Sequence, residues 1–145
     1  MRPSQLTALV DGLLHEETQV TERGLDLTVS EVLEIATPGR VDFGGEELDR
    51  ANVSAHEKVW RDDEDDYQWW HLDGGQYLVE YNERLTADRP LRVQTRDAVR
   101  VRGAFHPTVE LTDLDRMPLS VAPGGIRIKE NARISTLLPP EEGTE

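Results

Sequence analysis

The sequence predicts a mainly β protein, a distorted antiparallel barrel with one short helix near the N-terminus. Three observations predict it. Short apolar or alternating runs recur between Pro, Gly, Asn and Asp turn residues. Only one stretch places apolar residues at helical spacing, and no strand alternates with a long amphipathic helix, as a parallel sheet with crossovers would require.

The elements follow in order. Ser4 can cap a short helix in which Leu6, Leu9, Val10 and Leu13 recur at helical spacing, with Gly12 weakening its end. Strands are expected at Leu25 to Ile35, Gln76 to Tyr81, Leu91 to Val93, Val99 to Val101, Ile126 to Ile128 and Arg133 to Leu138. Pro38-Gly39, Gly44-Gly45, Gly74-Gly75, Pro90 and Pro123-Gly124-Gly125 punctuate them. In the first strand, Leu25, Leu27 and Val29 would face a core while Asp26 and Thr28 face away from it. Residues 46 to 66 are polar and end in Arg61-Asp62-Asp63-Glu64-Asp65-Asp66, which reads as a long surface excursion. The expected organisation is one domain over residues 1 to 138, followed by a flexible acidic tail over residues 139 to 145.

Composition narrows the functional classes. The chain has 145 residues and a net charge of −13, from 29 acidic against 16 basic residues, and Lys58 and Lys129 are its only lysines. Such a surface repels nucleic-acid backbones, although a local basic pocket could still admit a small nucleotide. Scarce lysine with abundant Asp and Glu resembles the cytosolic proteins of salt-loving archaea, whose surfaces work where charge repulsion is screened. Without cysteine there is no disulfide framework, thiolate nucleophile or Cys-based metal site. No window reaches the roughly 18 consecutive apolar residues of a membrane span, so a cytoplasmic protein with no membrane partner is expected.

Three segments carry a resemblance: Gly24-Leu25-Asp26-Leu27-Thr28-Val29, Gly74 to Glu83, and Asn131-Ala132-Arg133-Ile134-Ser135-Thr136-Leu137-Leu138. Together they resemble the dUTPase and dCTP deaminase superfamily over about Thr21 to Leu138. The resemblance implies a β-clip barrel assembled as a homotrimer, with sites between subunits that act on deoxypyrimidine triphosphates: dUTP hydrolysis to dUMP and diphosphate, or dCTP deamination.

The residue roles it implies are specific. Asp26 would hold a substrate hydroxyl or a water on magnesium, the implied cofactor. Arg96 lies where the family has Pro-Arg-Ser-Ser-Leu and would grip phosphates with Arg133 and Arg100, but Asp97 and Ala98 replace the two serines. Arg100 and Arg102 would share one face of a strand. The water-activating acid of the family has its counterpart in His106 to Pro118, where Glu110 and Asp113, with Asp115, are the candidates although the Gly-Tyr-x-Gly scaffold is missing. Ser135-Thr136-Leu137 replaces the family's Ala-Gln-Leu after the matching Arg133.

These alterations leave two readings open: a superfamily enzyme whose activity is weak or lost, and a non-catalytic trimeric binding or protein-interaction module. The second would use the Trp-rich acidic segment of Trp60, Tyr67, Trp69 and Trp70. His15, His56, His71 and His106 are scattered without metal-ligand spacing.

Overall fold

The computed structural model describes residues 1–141. After a 3-10 turn over Pro3–Leu9, the elements are β1 (Val10–Asp11), α1 (Glu16–Gln19), β2 (Leu25–Thr37), β3 (Asn52–Ala55), β4 (Trp69–Leu72), β5 (Gly75–Tyr81), β6 (Arg84–Leu85) and β7 (Leu91–Thr95). The remainder are α2 (Asp97–Arg100), β8 (Ala104–Phe105), β9 (Val109–Leu111), β10 (Met117–Val121), β11 (Ile126–Lys129) and β12 (Arg133–Leu138). The main sheet runs β8-β10-β5-β2-β12-β7-β9, with β3 also on β2, and every pairing in it is antiparallel. This curled antiparallel sheet forms a half-barrel, which agrees with the mainly β, distorted antiparallel barrel expected from the sequence.

β2 organises the molecule because its length lets it serve three partners in turn. Its first residues pair with β12, its middle with β5 and its end with β3. The register shifts between Val29 and Glu31, so the bulge at Ser30 bends the strand as it passes from one neighbour to the next. The core lies inside this curl, where Leu25, Leu27, Val29, Val79, Val93 and Leu137 are fully buried. Gly24 opens β2 because nothing larger fits: a Cβ there would overlap the Leu137 carbonyl oxygen on the neighbouring strand.

Several expectations are corrected. The N-terminal helix is a 3-10 segment; Pro3 starts it, Gln5 Oε1 accepts from the Arg2 amide at 2.7 Å, and Val10 leaves it to pair with Leu85. Asp26 and Thr28 do not face solvent: residues 25 to 29 are buried on both faces, because the segment around α1 covers the second one. Residues 99 to 101 are not a strand. Asp97–Arg100 forms α2, with Val99 on its buried side, so Arg100 and Arg102 share no strand face. The excursion over residues 46 to 66 is also less irregular than expected, since β3 lies within it and extends the sheet.

Candidate functional site

Asp26 is the centre of the site. The start of β2 places it against β12 opposite Thr136, and it is 3% exposed. Its Oδ1 accepts a hydrogen bond from Thr136 Oγ1 at 2.8 Å. Its Oδ2 lies 3.1 Å from Arg133 Nη1 and 3.5 Å from Arg96 Nε. The two arginines arrive from different elements: Arg133 begins β12, and Arg96 is the residue before α2. Arg96 Nη1 donates to the Arg133 carbonyl at 3.2 Å, and Arg133 Nη1 also donates to the Thr18 carbonyl at 3.1 Å. Burial and the adjacent Arg133 guanidinium pull Arg96 below its ordinary pKa, against the attraction of Asp26; an arginine nonetheless stays protonated. One carboxylate thus faces two guanidinium groups, and the cluster carries a net positive charge in a strongly acidic protein.

Above it opens a cleft of about 410 Å³ whose walls include His15, Thr18, Arg96, Lys129, Asn131 and Arg133. Gln19, 2% exposed, braces its floor. The side-chain oxygen of Gln19 accepts from the Leu14 and His15 amides at 2.8 and 2.9 Å, and its nitrogen donates to the Asp26 carbonyl at 3.0 Å and to Glu83 Oε2 at 2.8 Å. The acidic segment is fastened to the rim. Asp65 lies 3.8 Å from Lys129, and Glu130 accepts from Lys58 at 3.3 Å and from the Gln68 amide at 2.7 Å. The guanidinium forks can receive oxyanions in the cleft, since both side chains keep more than a quarter of their surface exposed.

Asp26, Arg96 and Arg133 are therefore brought together, and the other expected site residues lie elsewhere in the subunit. Arg100 is exposed and pairs with Asp97 at 3.6 Å. Asp97, standing in a serine's place, is also held by Arg23 at 3.4 Å. Glu110, on β9, pairs with Arg92 at 3.0 Å. Three strand steps separate β9 from β2, roughly 14 Å at the usual strand spacing. Asp113 sits exposed in the bend after β9. Of the aromatic group, Trp70 is fully buried and Trp69 half-buried, leaving Trp60 and Tyr67 exposed.

Asp26 does not fit as a ligand to a resident magnesium. Both of its oxygens already accept hydrogen bonds, and two guanidinium groups within 3.5 Å oppose a further cation. Among the described residues no group of three or more His, Cys, Asp or Glu could hold a metal ion.

Sequence reasoning missed Thr136, Gln19, Glu83, Asn82 and Asn131. Glu83 and Asn82 did carry a signal, two polar residues directly after the apolar alternation of β5, and Asn131 lies in the turn before β12.

A curled antiparallel half-barrel with two arginines gathered over a buried carboxylate defines the class: a small β protein whose most basic cluster opens on a cleft. No protein-family model matches the chain. A probable deoxyuridine 5'-triphosphate nucleotidohydrolase of Methanosarcina acetivorans is 31% identical over 140 aligned positions, covering 90% of this chain and 77% of the relative. A crystal structure of 2'-deoxycytidine 5'-triphosphate deaminase from Agrobacterium tumefaciens shares the fold, with a TM-score of 0.61 and 15% identity, over 94% of this chain. The chain spans 46% of the length of that deaminase. The chain belongs to the dUTPase and dCTP deaminase superfamily.

Proposed function

We propose that the chain binds a deoxypyrimidine nucleoside triphosphate in the cleft, with Arg96 and Arg133 receiving phosphate oxygens. Asp26 holds the two guanidinium groups side by side and limits their mutual repulsion. The observation that carries this reading is the convergence of both arginines, which line an open cleft from two separate elements, on one buried carboxylate behind them. Any magnesium is brought by the triphosphate as part of the substrate.

Turnover to dUMP and diphosphate, or deamination of dCTP, is weak or lost in this reading. Two features support that: Asp97 and Ala98 stand where the family has two hydroxyl donors, and Glu110 lies three strands from Asp26 within the subunit, paired with Arg92. The working unit is a homotrimer, whose between-subunit sites would draw Glu110 or Asp113 from a neighbour.

The test incubates purified protein with dUTP or dCTP and magnesium at high salt, following nucleotide affinity together with diphosphate and ammonia release. Binding that weakens at least tenfold in Arg96→Gln, with little or no release, is the expected result. Absence of binding by the parent protein overturns the proposal.

A second reading, a protein-interaction module, is favoured by the exposure of Trp60 and Tyr67, at 58% and 47%. A partner whose capture is lost in Trp60→Ala, with nucleotide affinity absent, would select it.

A further inference from the structure

Behind the cleft wall, a chain of polar side chains has hydrogen-bond directions that elementary chemistry fixes. Asn82 Nδ2 approaches the Val29 carbonyl at 3.4 Å, Thr28 Oγ1 at 2.9 Å and Asn131 Oδ1 at 2.9 Å. Thr28 Oγ1 gives its one hydrogen to Glu83 Oε2, so towards Asn82 it can only accept, and the Asn82 atom facing it is the amide nitrogen. The Asn131 atom facing that nitrogen is then the amide oxygen. Thr28, accepting from Asn82, sends its own hydroxyl hydrogen to Glu83 Oε2 at 2.6 Å, while its backbone amide donates to Glu83 Oε1 at 2.8 Å. Glu83 is 1% exposed and takes a third hydrogen bond from Gln19.

With its oxygen committed to Asn82, Asn131 keeps both Nδ2 hydrogens for another partner. Asn131 lines the cleft together with Lys129, Arg133 and Glu130, whose carboxylate is taken up by Lys58 and the Gln68 amide, and Nδ2 has no acceptor among the described residues. Its backbone is also unusual: at φ 64° it is the one non-glycine among the described residues in the left-handed region. Glycine would satisfy that turn with less strain, so the turn alone does not require an amide side chain here.

We propose that Asn131 is a ligand-binding residue of the cleft, donating from Nδ2 to a phosphate-chain oxygen of the bound nucleotide. Asn82, Thr28 and Glu83 are positioning residues that keep its amide oxygen away from the anion. This assignment rests on the nucleotide-binding reading above and adds a donor beside Arg96 and Arg133.

The test uses the full chain and inorganic tripolyphosphate, with dUTP and dCTP alongside, by isothermal titration. Asn131→Gly keeps the left-handed turn and removes the donor; it is expected to lose about tenfold in tripolyphosphate affinity with an unchanged or raised melting temperature. Asn131→Asp places a carboxylate at the same spot and should lose about a hundredfold. At a temperature where each variant is shown by circular dichroism to be fully folded, Thr28→Val is expected to weaken tripolyphosphate binding while Thr28→Ser, which keeps the hydroxyl, binds like the parent; parent-like affinity in folded Thr28→Val would overturn the positioning role of the relay. Parent-like affinity in Asn131→Gly overturns the assignment. If Arg96→Gln alone abolishes binding, the cleft stands and only the role of Asn131 falls; if the parent chain binds neither tripolyphosphate nor nucleotide, both readings fall.

Discussion

Asp26→Asn probes the centre of the site and has a magnitude that follows from the geometry. The substitution keeps the side-chain volume and an oxygen for Thr136 but removes the charge that two guanidinium groups share at 3.1 and 3.5 Å. Removing one partner of a buried pair costs about 3–5 kcal/mol when the other is left without solvent. Here each arginine keeps more than a quarter of its surface, and each retains a backbone carbonyl, Thr18 for Arg133 and Arg133 for Arg96. That lowers the expected loss to about 2–3 kcal/mol, a fall of about 10 °C in melting temperature for a domain of this size. Urea unfolding followed by circular dichroism measures it. The loss should persist in 1 M KCl, because buried pairs are screened far less than surface ones. A variant within about 0.5 kcal/mol of the parent would refute the reasoning and return Asp26 to the class of solvated acids.

The other predictions concern the scaffold. Burial holds the His106 imidazole below its usual pKa, against the opposing effect of the Pro107 carbonyl; the stability this carries is present above the unfolded value of about 6.5 and drains away as pH falls through the folded one, by at most about 1.4 kcal/mol per pH unit. Urea midpoints between pH 8 and 5.5 should therefore fall more steeply for the parent than for His106→Gln, and parallel profiles would contradict it; Glu83, raised by burial, works in the opposite sense and cancels in the comparison. Gly24→Ala drives a methyl group into the Leu137 carbonyl and should cost about 3 kcal/mol or more, or prevent soluble expression; a loss under about 1 kcal/mol would show that β2 and β12 can part freely. Trp70→Ala should lose about 3–5 kcal/mol while Trp60→Ala stays within about 0.5 kcal/mol in thermal unfolding, and equal losses would contradict their opposite burial.

The strands most legible in the sequence were those with one apolar face and a clear turn at each end. Gln76 to Tyr81 and Arg133 to Leu138 match β5 and β12 almost residue for residue. Of the strands of two to four residues, β11 was legible because Pro123-Gly124-Gly125 sets off its alternation, whereas β3 and β8 were not, since their pairing is decided by partners far along the chain. Val99 misled for a related reason: one buried valine per helical turn and two valines on one strand face look the same over three residues. Here Asp97, in the first turn, and the absence of a strand partner favour the helix.

Asp26 shows why a site can be visible while its environment is not. Alternation identified the position, and then assigned it to solvent because a strand with one polar face is ordinarily half exposed. What buries that face is a non-local set: α1, which packs over it, Arg96 from the far side of β7, and Arg133 across the ladder. Each is unremarkable in its own segment, and only the antiparallel register that sets Asp26 opposite Thr136 places them around one carboxylate. With Asp97 and Ala98 following it, the Arg96 guanidinium group is still anchored through Asp26 and the Arg133 carbonyl. The groups that fix Arg96 and Arg133 are distinct from Glu110, which lies three strands away, so a substitution at either place separates binding from turnover in the proposed assay.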